Sequence, residues 1–266
     1  MKSYRLLMIG AGRMAEAIIS GLTNQSQSMF STITVANRSD ENRLIELAEK
    51  YDIHTTTDWK SVISEADVIV SAAPPQAHDA ILDVLSSVDF NKLFVTVAAG
   101  VDPTYMESKL PESTPVCWIM PNTAAQVQKS MTTYVCGHFV NAEQRGIIHH
   151  LLESIGEFEE LTEEQVHDLT AITGSAPAFL YLFGEALEQA AVAYGLSGNQ
   201  ARKLVTNMIS GSAAMLESGV EANELRDQVT TPGGSTAAGV EVLENGSFIK
   251  LVQKAVSATN AHARGK

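Results

Sequence analysis

Two hydrophobic patterns divide the chain. Up to about residue 160, short apolar runs rich in Val and Ile alternate with amphipathic stretches. The apolar runs predict strands, and the amphipathic stretches predict helices. Strands that alternate with helices form a mostly parallel sheet covered by helices on both faces. We therefore predict an α/β, doubly wound N-terminal domain over residues 1–160, with strands at 5–9, 32–36, 68–72, 93–98, 116–120 and 131–136 and helices at 14–22, 41–51, 77–85 and 143–155.

From residue 161 onward, long helical patterns replace the strands. Capping boxes at Thr162 and Ser197 mark two helix starts, and Pro177 fits the first turn of another helix. That helix, over 177–194, is apolar nearly all round and must be buried on most sides. We predict an all-α C-terminal dimerisation domain over 161–266, covered by a second copy of the chain in a homodimer. Burial against the chain's own sheet domain is the alternative.

Composition narrows the class of protein. The chain has 266 residues, 45% of them hydrophobic, and a net charge of −13. This acidity argues against a nucleic acid or an anionic membrane as partner. No apolar run is long enough for a signal segment or a membrane span, so we expect a cytoplasmic protein. Cys117 and Cys136 form no disulfide framework and are interpreted as buried, reduced thiols. The seven histidines lack ligand spacing, and we expect no metal.

A glycine-rich turn follows the first predicted strand and opens a helix. Gly10 allows a tight turn, Gly12 lets the backbone approach a pyrophosphate, and Ala15 permits close packing of helix on strand. Arg13 and Met14 begin the helix beside that phosphate. In this position the pattern predicts a dinucleotide site.

The end of the second strand favours one dinucleotide over the other. NAD sites place an acid there for the ribose 2′-hydroxyl, but here the chain reads Asn37, Arg38 and Ser39. A guanidinium pairs with a 2′-phosphate, whereas a carboxylate repels it. We therefore predict NADPH/NADP, with NADH binding more weakly. A surface arginine without a ligand is the alternative.

Further loops at the carboxyl ends of strands line the same crevice in folds of this kind. Asn122 is a candidate for the carboxamide or ribose of the cofactor. Taken singly, each loop fits a plain connecting turn equally well. The candidates are Ala72, Pro75, Ala98, Gly100 and Asn122.

Two motifs lie in the helical half, at 174–179 and 231–236. Each places small residues and hydroxyls at a helix start, where free backbone N–H groups hold an anion. With a dinucleotide site in the same chain, they favour a nicotinamide enzyme that acts on a small carboxylate.

At these residues the chain resembles the pyrroline-5-carboxylate reductase family. The shared segments are Gly-Ala-Gly-Arg-Met-Ala at 10–15, Asn-Arg-Ser at 37–39, Met-Pro-Asn-Thr at 120–123, Gly-Ser-Ala-Pro-Ala-Phe at 174–179 and Thr-Pro-Gly-Gly-Ser-Thr at 231–236. The last two are the most specific. The resemblance implies an N-terminal Rossmann domain, a helical dimerisation domain, and dimers that often assemble into larger rings.

The resemblance also implies the reaction and its residues. NADPH reduces a cyclic imine carboxylate, 1-pyrroline-5-carboxylate, to L-proline. The implied substrate loop is Gly233, Gly234, Ser235 and Thr236, with Thr236 contacting the imine nitrogen. Ser175 is interpreted as a helix cap or a substrate neighbour. Glu163 matches a family position near the substrate ring, or is a first-turn glutamate favoured by the helix dipole. His167, one turn further, is a candidate partner for Glu163.

Three residues depart from the family pattern. Pro74 replaces a usual Lys, Trp118 a usual Arg and Ser130 a usual Gly. These changes leave open a divergent, non-catalytic or regulatory NADP-binding paralogue, or a reductase of another cyclic imine. A 3-hydroxy acid dehydrogenase is disfavoured, because the stretch 175–194 contains no Lys for that chemistry.

Overall fold

The computed structural model describes residues 3–26, 28–88 and 90–263. The chain divides into two compact units. The first ends at Gly174 and takes in the chain from Asn260 onward, and the second is Ser175–Thr259. The sequence-based division between residues 160 and 161 stays a prediction about domains, since compactness alone divides the chain further along.

The first unit is built on an eight-stranded sheet in the order β3-β2-β1-β4-β5-β6-β7-β8. All neighbouring strands are parallel except β6 and β7. All six predicted strands are present. Two were missed: β3 is three residues long, and β8 carries a single large apolar side chain. The strands are β1 Tyr4–Ile9, β2 Phe30–Ala36, β3 His54–Thr56, β4 Val68–Ser71, β5 Leu93–Thr96, β6 Val116–Met120, β7 Ser130–Cys136 and β8 Gly156–Glu160.

Six α-helices lie within 3–174 of the described part of the chain, and the four predicted ones are among them. The missed α4 starts at Pro103 behind an N-cap, Asp102, whose carboxylate accepts from the N–H of Tyr105 at 2.8 Å. The helices are α1 Arg13–Asn24, α2 Glu41–Tyr51, α3 His78–Ser86, α4 Pro103–Lys109, α5 Ala142–Glu153 and α6 Glu163–Thr170.

Alternation along the strands creates two cores, one on each face of the sheet. In β1, Leu6 and Met8 join a cluster with residues of α1 and α5. Leu7 and Ile9 join a second cluster with residues of α3 and α4. The sheet is therefore covered on both sides, and the predicted doubly wound α/β fold is confirmed.

The second unit is helical. A π-helical turn, Ala171–Ser175, leads into it, and α7 packs on α8, with Gly184 next to Ile209. The predicted capping boxes at Thr162 and Ser197 are both formed. The helices are α7 Ala176–Ala193, α8 Gly198–Glu217, α9 Ala222–Val229, α10 Ser235–Asn245 and α11 Phe248–Ala263, of which the part up to Thr259 belongs to this unit.

The apolar faces of these helices are largely exposed in the single chain. In α7 only Gly184 is buried, although the sequence predicts burial on most sides of this helix. Large exposed side chains occur on several helices: Leu180, Tyr181, Leu182, Leu204, Met208, Val242, Ile249 and Leu251. The chain alone does not supply the cover that the pattern requires. None of the helices among the described residues is both long and apolar enough to cross a membrane.

Candidate active site

The predicted cofactor residues meet at one edge of the sheet. Strands β2, β1, β4, β5 and β6 are consecutive parallel neighbours, so their carboxyl ends lie side by side. The sheet order reverses between β1 and β4, where a crevice opens in folds of this kind. The loops at this edge carry Gly10, Gly12, Arg13, Met14, Asn37, Arg38, Ser39, Ala72, Pro75, Ala98, Gly100 and Asn122.

Gly10 is required by the fold itself. Its φ is +111°, and a Cβ there would lie 2.9 Å from the carbonyl carbon of Ala72. Hydrogen bonds fix this crossing: Gly10 N donates to Ala36 O at 2.8 Å, and Ala72 N donates to Ile9 O at 2.8 Å. The glycine therefore lets the loops after β1 and β4 touch.

Gly12 is different, because the protein does not demand a glycine there. Its φ is −74°, and no described atom lies within 4 Å of where a Cβ would be. Gly12 is the N-cap of α1 and has no side chain to satisfy the first-turn N–H groups of Arg13 and Met14. A bare glycine at an uncapped helix start fits a pyrophosphate. Ala15 is fully buried, as the close packing of α1 requires.

A charged network holds the start of α1 to α2. Arg43 donates to the carbonyl of Ala11 at 3.1 Å and pairs with Glu16. Lys50 and Tyr51 donate to the other oxygen of Glu16, at 2.9 and 3.0 Å. Burial alone would raise the pKa of Glu16, but the hydrogen bonds from Lys50, Arg43 and Tyr51 outweigh it and lower the pKa to about 2. The glycine-rich turn is thus tied down through Arg43.

The segment after β2 carries an exposed arginine, Arg38. Asn37 accepts from the N–H of Ser39 at 3.3 Å, which shapes the turn. Arg38 is exposed and forms no ion pair with any described residue. The nearby Asp40 is engaged as the N-cap of α2, accepting from Arg43 N at 2.9 Å. Arg38 is therefore available to an anion, as the 2′-phosphate interpretation requires.

A buried histidine joins the loops after β4 and β5. His78 Nδ1 donates to Pro74 O at 3.1 Å, and its Nε2 lies 2.8 Å from Thr96 Oγ1. Thr96 Oγ1 in turn accepts from Ala98 N at 3.1 Å. Burial lowers the pKa of His78, which keeps the ring neutral, so Nε2 accepts from the threonine hydroxyl. Pro74 thus has a structural role through its carbonyl.

Trp118 holds the other backbone polar group of Ala98, its carbonyl. Its indole N–H donates to Ala98 O at 2.8 Å, and the side chain is almost fully buried. Its ring also lies against His167, with centroids 4.7 Å apart. Trp118, which stands where the resembled family usually has Arg, is therefore a core residue that fixes the Ala98–Gly100 loop. The sequence did not predict this role.

Asn122 is fixed by three hydrogen bonds. Its N–H donates to Ser130 Oγ at 3.0 Å, its Oδ1 accepts from Ala124 N at 2.9 Å, and its Nδ2 donates to Thr173 O at 2.9 Å. In a regular helix the Thr173 carbonyl would accept from the N–H four residues later, but that residue is Pro177, which has no N–H. Asn122 therefore completes the backbone bonding beside the π-helical turn, and Ser130 holds Asn122 in place.

Glu163 lies in a cluster that the sequence did not predict. It accepts from the N–H and hydroxyl of Thr104, at 3.1 and 3.0 Å. His167 pairs with Asp102 at 2.9 Å, not with Glu163, so the predicted pairing is wrong; the contact comes from the folding of α4 against α6. Side-chain atoms of Asp102, Glu163 and His167 all lie within 4.8 Å of one another. These internal hydrogen bonds account for the cluster without an ion.

Ser175 does not cap α7 with its side chain, so that interpretation is wrong. Its φ and ψ are −103° and −32°, and its hydroxyl makes no capping bond. The helical path runs through the π-helical turn into α7, leaving no free helix start at this position. Such turns are frequent at functional sites, and the Gly-Ser of the 174–179 motif lies in one.

The predicted substrate loop, in the second unit, forms an uncapped helix start. Gly233 has φ +73°, and a Cβ on Gly234 would lie 2.6 Å from Thr231 Oγ1. Gly234 is the N-cap of α10 without a side-chain bond, followed by Ser235 and Thr236 in the first turn. All but Gly234 are exposed. The loop therefore combines first-turn N–H groups that no N-cap side chain satisfies with two exposed hydroxyls, those of Ser235 and Thr236.

Comparisons with known proteins agree with this architecture. The protein-family model described as pyrroline-5-carboxylate reductase dimerisation matches residues 163–266, and the one described as NADP oxidoreductase coenzyme F420-dependent matches residues 5–100. Two solved structures of similar fold, each with a TM-score of 0.89 and 27% identity, are 1-pyrroline-5-carboxylate reductase from Streptococcus pyogenes and Plasmodium falciparum pyrroline carboxylate reductase with NADP bound. The chain aligns over its full length with both, covering 100% and 98% of theirs.

A curated relative is also similar to the chain in sequence. Pyrroline-5-carboxylate reductase of Staphylococcus aureus is 31% identical over 256 residues, which cover 96% of this chain and 94% of the relative. The alignment therefore includes the glycine-rich turn, the 174–179 motif and the substrate loop in one collinear match. The chain belongs to the pyrroline-5-carboxylate reductase family.

Proposed function

We propose that the protein reduces 1-pyrroline-5-carboxylate to L-proline with NADPH, the last step of proline synthesis. The observation that carries this proposal is the collinear match over 96% of the chain with a relative that bears this name. The intact helix start at Gly234, Ser235 and Thr236 supports it, because a small carboxylate needs such donors.

The cofactor residues have distinct roles in this proposal. The uncapped start of α1 at Gly12 holds the pyrophosphate, and Arg38 pairs with the 2′-phosphate. The Ala98–Gly100 loop, fixed by Thr96 and Trp118, lines the nicotinamide end. The bound nicotinamide supplies the hydride. NADPH is preferred over NADH because the second strand ends in a cation where NAD sites carry an acid.

The substrate residues orient the imine. The first-turn N–H groups of Ser235 and Thr236 bind the carboxylate, and the hydroxyl of Thr236 donates to the ring nitrogen. The N–H of Gly234 donates to Thr231 O at 2.9 Å and shapes the loop. A hydrogen bond to that nitrogen makes the neighbouring carbon more electrophilic in the transition state. Glu163 remains a candidate for the surroundings of the substrate ring, although its carboxylate already accepts two hydrogen bonds from Thr104. Ser175 remains a candidate substrate neighbour, since its hydroxyl is not used as a cap.

We also propose that the functional unit is a homodimer, with a higher ring of dimers as a further step. The exposed apolar faces of α7, α8, α10 and α11 support this, as does the match of 163–266 to a dimerisation family. Obligate dimer interfaces resemble a core divided in two. A cytoplasmic location stays a prediction.

The test is NADPH oxidation with purified protein and 1-pyrroline-5-carboxylate, followed at the nicotinamide absorbance, with proline measured as product. We expect oxidation that depends on the imine and yields proline, with NADH oxidised more slowly. Tight NADPH binding without consumption of any cyclic imine would instead identify a non-catalytic paralogue. Turnover restricted to a different cyclic imine would identify the other reductase alternative.

A further inference from the structure

The two cysteines of the chain face each other across an antiparallel strand pair. In the register of β6 and β7, Cys117 lies directly opposite Cys136. Next to them, Gly137 N donates to Val116 O at 2.8 Å. In an antiparallel ladder this bond makes Val116 and Gly137 a hydrogen-bonded pair, so the adjacent cysteine pair is a non-hydrogen-bonded one.

Such positions suit a covalent link. Opposite residues of a non-hydrogen-bonded pair have Cα atoms about 4.5 Å apart, with both side chains on the same face. Disulfides span Cα distances of roughly 4.4–6.8 Å. Here both sulfur atoms lie on the face of the sheet that carries α5. The pair can therefore be bridged without moving the strands apart.

The two thiols differ in character. Cys117 is fully buried, and burial together with its hydrogen bond to Cys136 raises its pKa. Cys136 is partly exposed, and the hydrogen bond from Cys117 lowers its pKa; burial opposes this, and the charge of Arg145 reinforces it. Glu160, which pairs with Arg145 at 2.6 Å, raises the pKa of Cys136 and so opposes the effect of Arg145. Cys136 is thus the thiol that ionises first, and it is the more exposed of the two.

We propose that Cys117 and Cys136 are a modification site, a dithiol that hydrogen peroxide converts into a cross-strand disulfide. The Cys136 thiolate attacks one peroxide oxygen, the O–O bond breaks, and the products are a sulfenic acid at Cys136 and hydroxide, which takes up a proton. The Cys117 sulfur then loses its proton and attacks the Cys136 sulfur, so that the S–S bond forms and the S–O bond breaks with release of water. Two thiols are oxidised, and one peroxide is reduced to two waters.

This site is independent of the proposed reductase activity. Disulfides in intracellular proteins are typically transient, and an external dithiol reverses them by exchange. The bond restrains β6 and β7 at the register that they already have. The sequence predicts two buried, reduced thiols, whereas the structure leaves Cys136 partly exposed. The proposal gives the two thiols unequal roles.

The experiment uses the full-length, reduced protein. It is treated with hydrogen peroxide, unfolded in the presence of an alkylating reagent, and analysed by intact mass spectrometry and non-reducing electrophoresis. We expect a monomeric chain that has lost two hydrogens and takes up no alkyl group, and that recovers both thiols after treatment with dithiothreitol. A peptide digest then contains Cys117 linked to Cys136.

Two variants separate the roles of the thiols. Cys117→Ala leaves the attacking thiol without its resolving partner, so dimedone is expected to trap a sulfenic acid at Cys136. Cys136→Ser leaves only the buried thiol, and we expect Cys117 to react at least tenfold more slowly than Cys136 does in the first variant. The proposal is overturned if the wild-type chain keeps two alkylatable thiols, forms disulfides only between chains, or stops at an oxidised Cys136. The wild-type result decides even if a variant fails to fold.

Discussion

The indole N–H of Trp118 donates to the backbone carbonyl of Ala98 at 2.8 Å, while the N–H of the same alanine donates to Thr96 Oγ1 at 3.1 Å. Both backbone polar groups of Ala98 are therefore held by side chains, its C=O by one from β6 and its N–H by one from β5. The loop that starts here leads to Gly100, whose φ of +76° favours glycine. A loop fixed in this way is preorganised, so a ligand that binds to it loses little conformational entropy.

Trp118→Phe removes this hydrogen bond and keeps an aromatic ring against His167. The buried carbonyl of Ala98 then lacks its partner, which costs about 1–3 kcal/mol. We expect a lower free energy of unfolding in urea and a several-fold higher Kd for NADPH. Trp59→Phe is the matched control, because no described residue hydrogen-bonds to that indole. Unchanged NADPH affinity in a destabilised Trp118→Phe protein would restrict Trp118 to a role in stability.

Arg38→Asp tests the choice of cofactor. The substitution replaces an exposed guanidinium that pairs with no described residue by an acid, which repels a 2′-phosphate and accepts from a ribose 2′-hydroxyl. We expect kcat/KM for NADPH to fall about tenfold or more, corresponding to about 1.4 kcal/mol, and NADH to be favoured. Steady-state kinetics with both cofactors measures the change.

Arg202→Asp provides the control for charge. It makes the same substitution at an exposed arginine whose nearest acid is 3.8 Å away, on a helix of the second unit. Its ratio of NADPH to NADH activity is expected to match that of the wild type. If Arg38→Asp behaves like Arg202→Asp, the 2′-phosphate is bound elsewhere.

Thr236→Ala tests the hydroxyl contact to the imine. Thr236 lies in the first turn of α10 and is exposed, so its loss leaves no buried group unsatisfied. Because general acid catalysis typically contributes about 100-fold or more, we expect kcat to fall by that order while the Kd for NADPH stays constant. Thr236→Ser retains the hydroxyl and should restore most of the activity. Equal losses of turnover and NADPH binding would point to a folding defect.

The predictable features depend on local sequence, and the missed ones depend on tertiary contacts. Gly10 and Gly12 make the turn predictable from the sequence. The backbone at Gly10 requires glycine, and Gly12 leaves open space where a side chain would be. By contrast, the bonds from Trp118 to Ala98 and from His167 to Asp102 join residues 20 and 65 positions apart, and no local pattern encodes them. The edge strand β8 was missed for a related reason.

In β8, glutamates alternate around Phe158, and both the charge and the brevity of this strand suit an exposed sheet edge. A sequence of that kind reads equally well as a solvated loop. The apolar helix α7 shows the opposite case. Its composition predicts burial, but the sequence does not say which surface covers the helix. Local periodicity thus identifies elements, while their partners follow from the assembled fold.

Leu182→Asp tests the proposed dimer. Leu182 is 66% exposed on α7, so an acid at this position does not disturb the core of the isolated chain. Placed in an apolar interface, an unpaired carboxylate opposes association. We expect size-exclusion chromatography with light scattering to show a shift to monomer. Val127→Asp, at a valine that is 69% exposed in the first unit, should leave the oligomer unchanged. A dimer that persists in Leu182→Asp would exclude this face of α7 from the interface.

The pH dependence of stability follows from Glu16. Its pKa in the folded protein is about 2, against 4.5 for an ordinary glutamate. The ionised carboxylate therefore stabilises the fold fully above about pH 4.5, and this contribution is lost as the pH falls towards 2. We expect Glu16→Gln to destabilise the protein at pH 7 by on the order of 2 kcal/mol, and by roughly half as much at pH 3. Urea unfolding at the two pH values gives both differences.

Glu46→Gln is the control. It removes another carboxylate that pairs with Arg43, at 3.1 Å, but Glu46 is 67% exposed, and its effect should be small at both pH values. A Glu16→Gln effect of the same size at both pH values would show that the Glu16 side chain acts through packing. Arg43 would then hold the Ala11 carbonyl without the negative charge of Glu16.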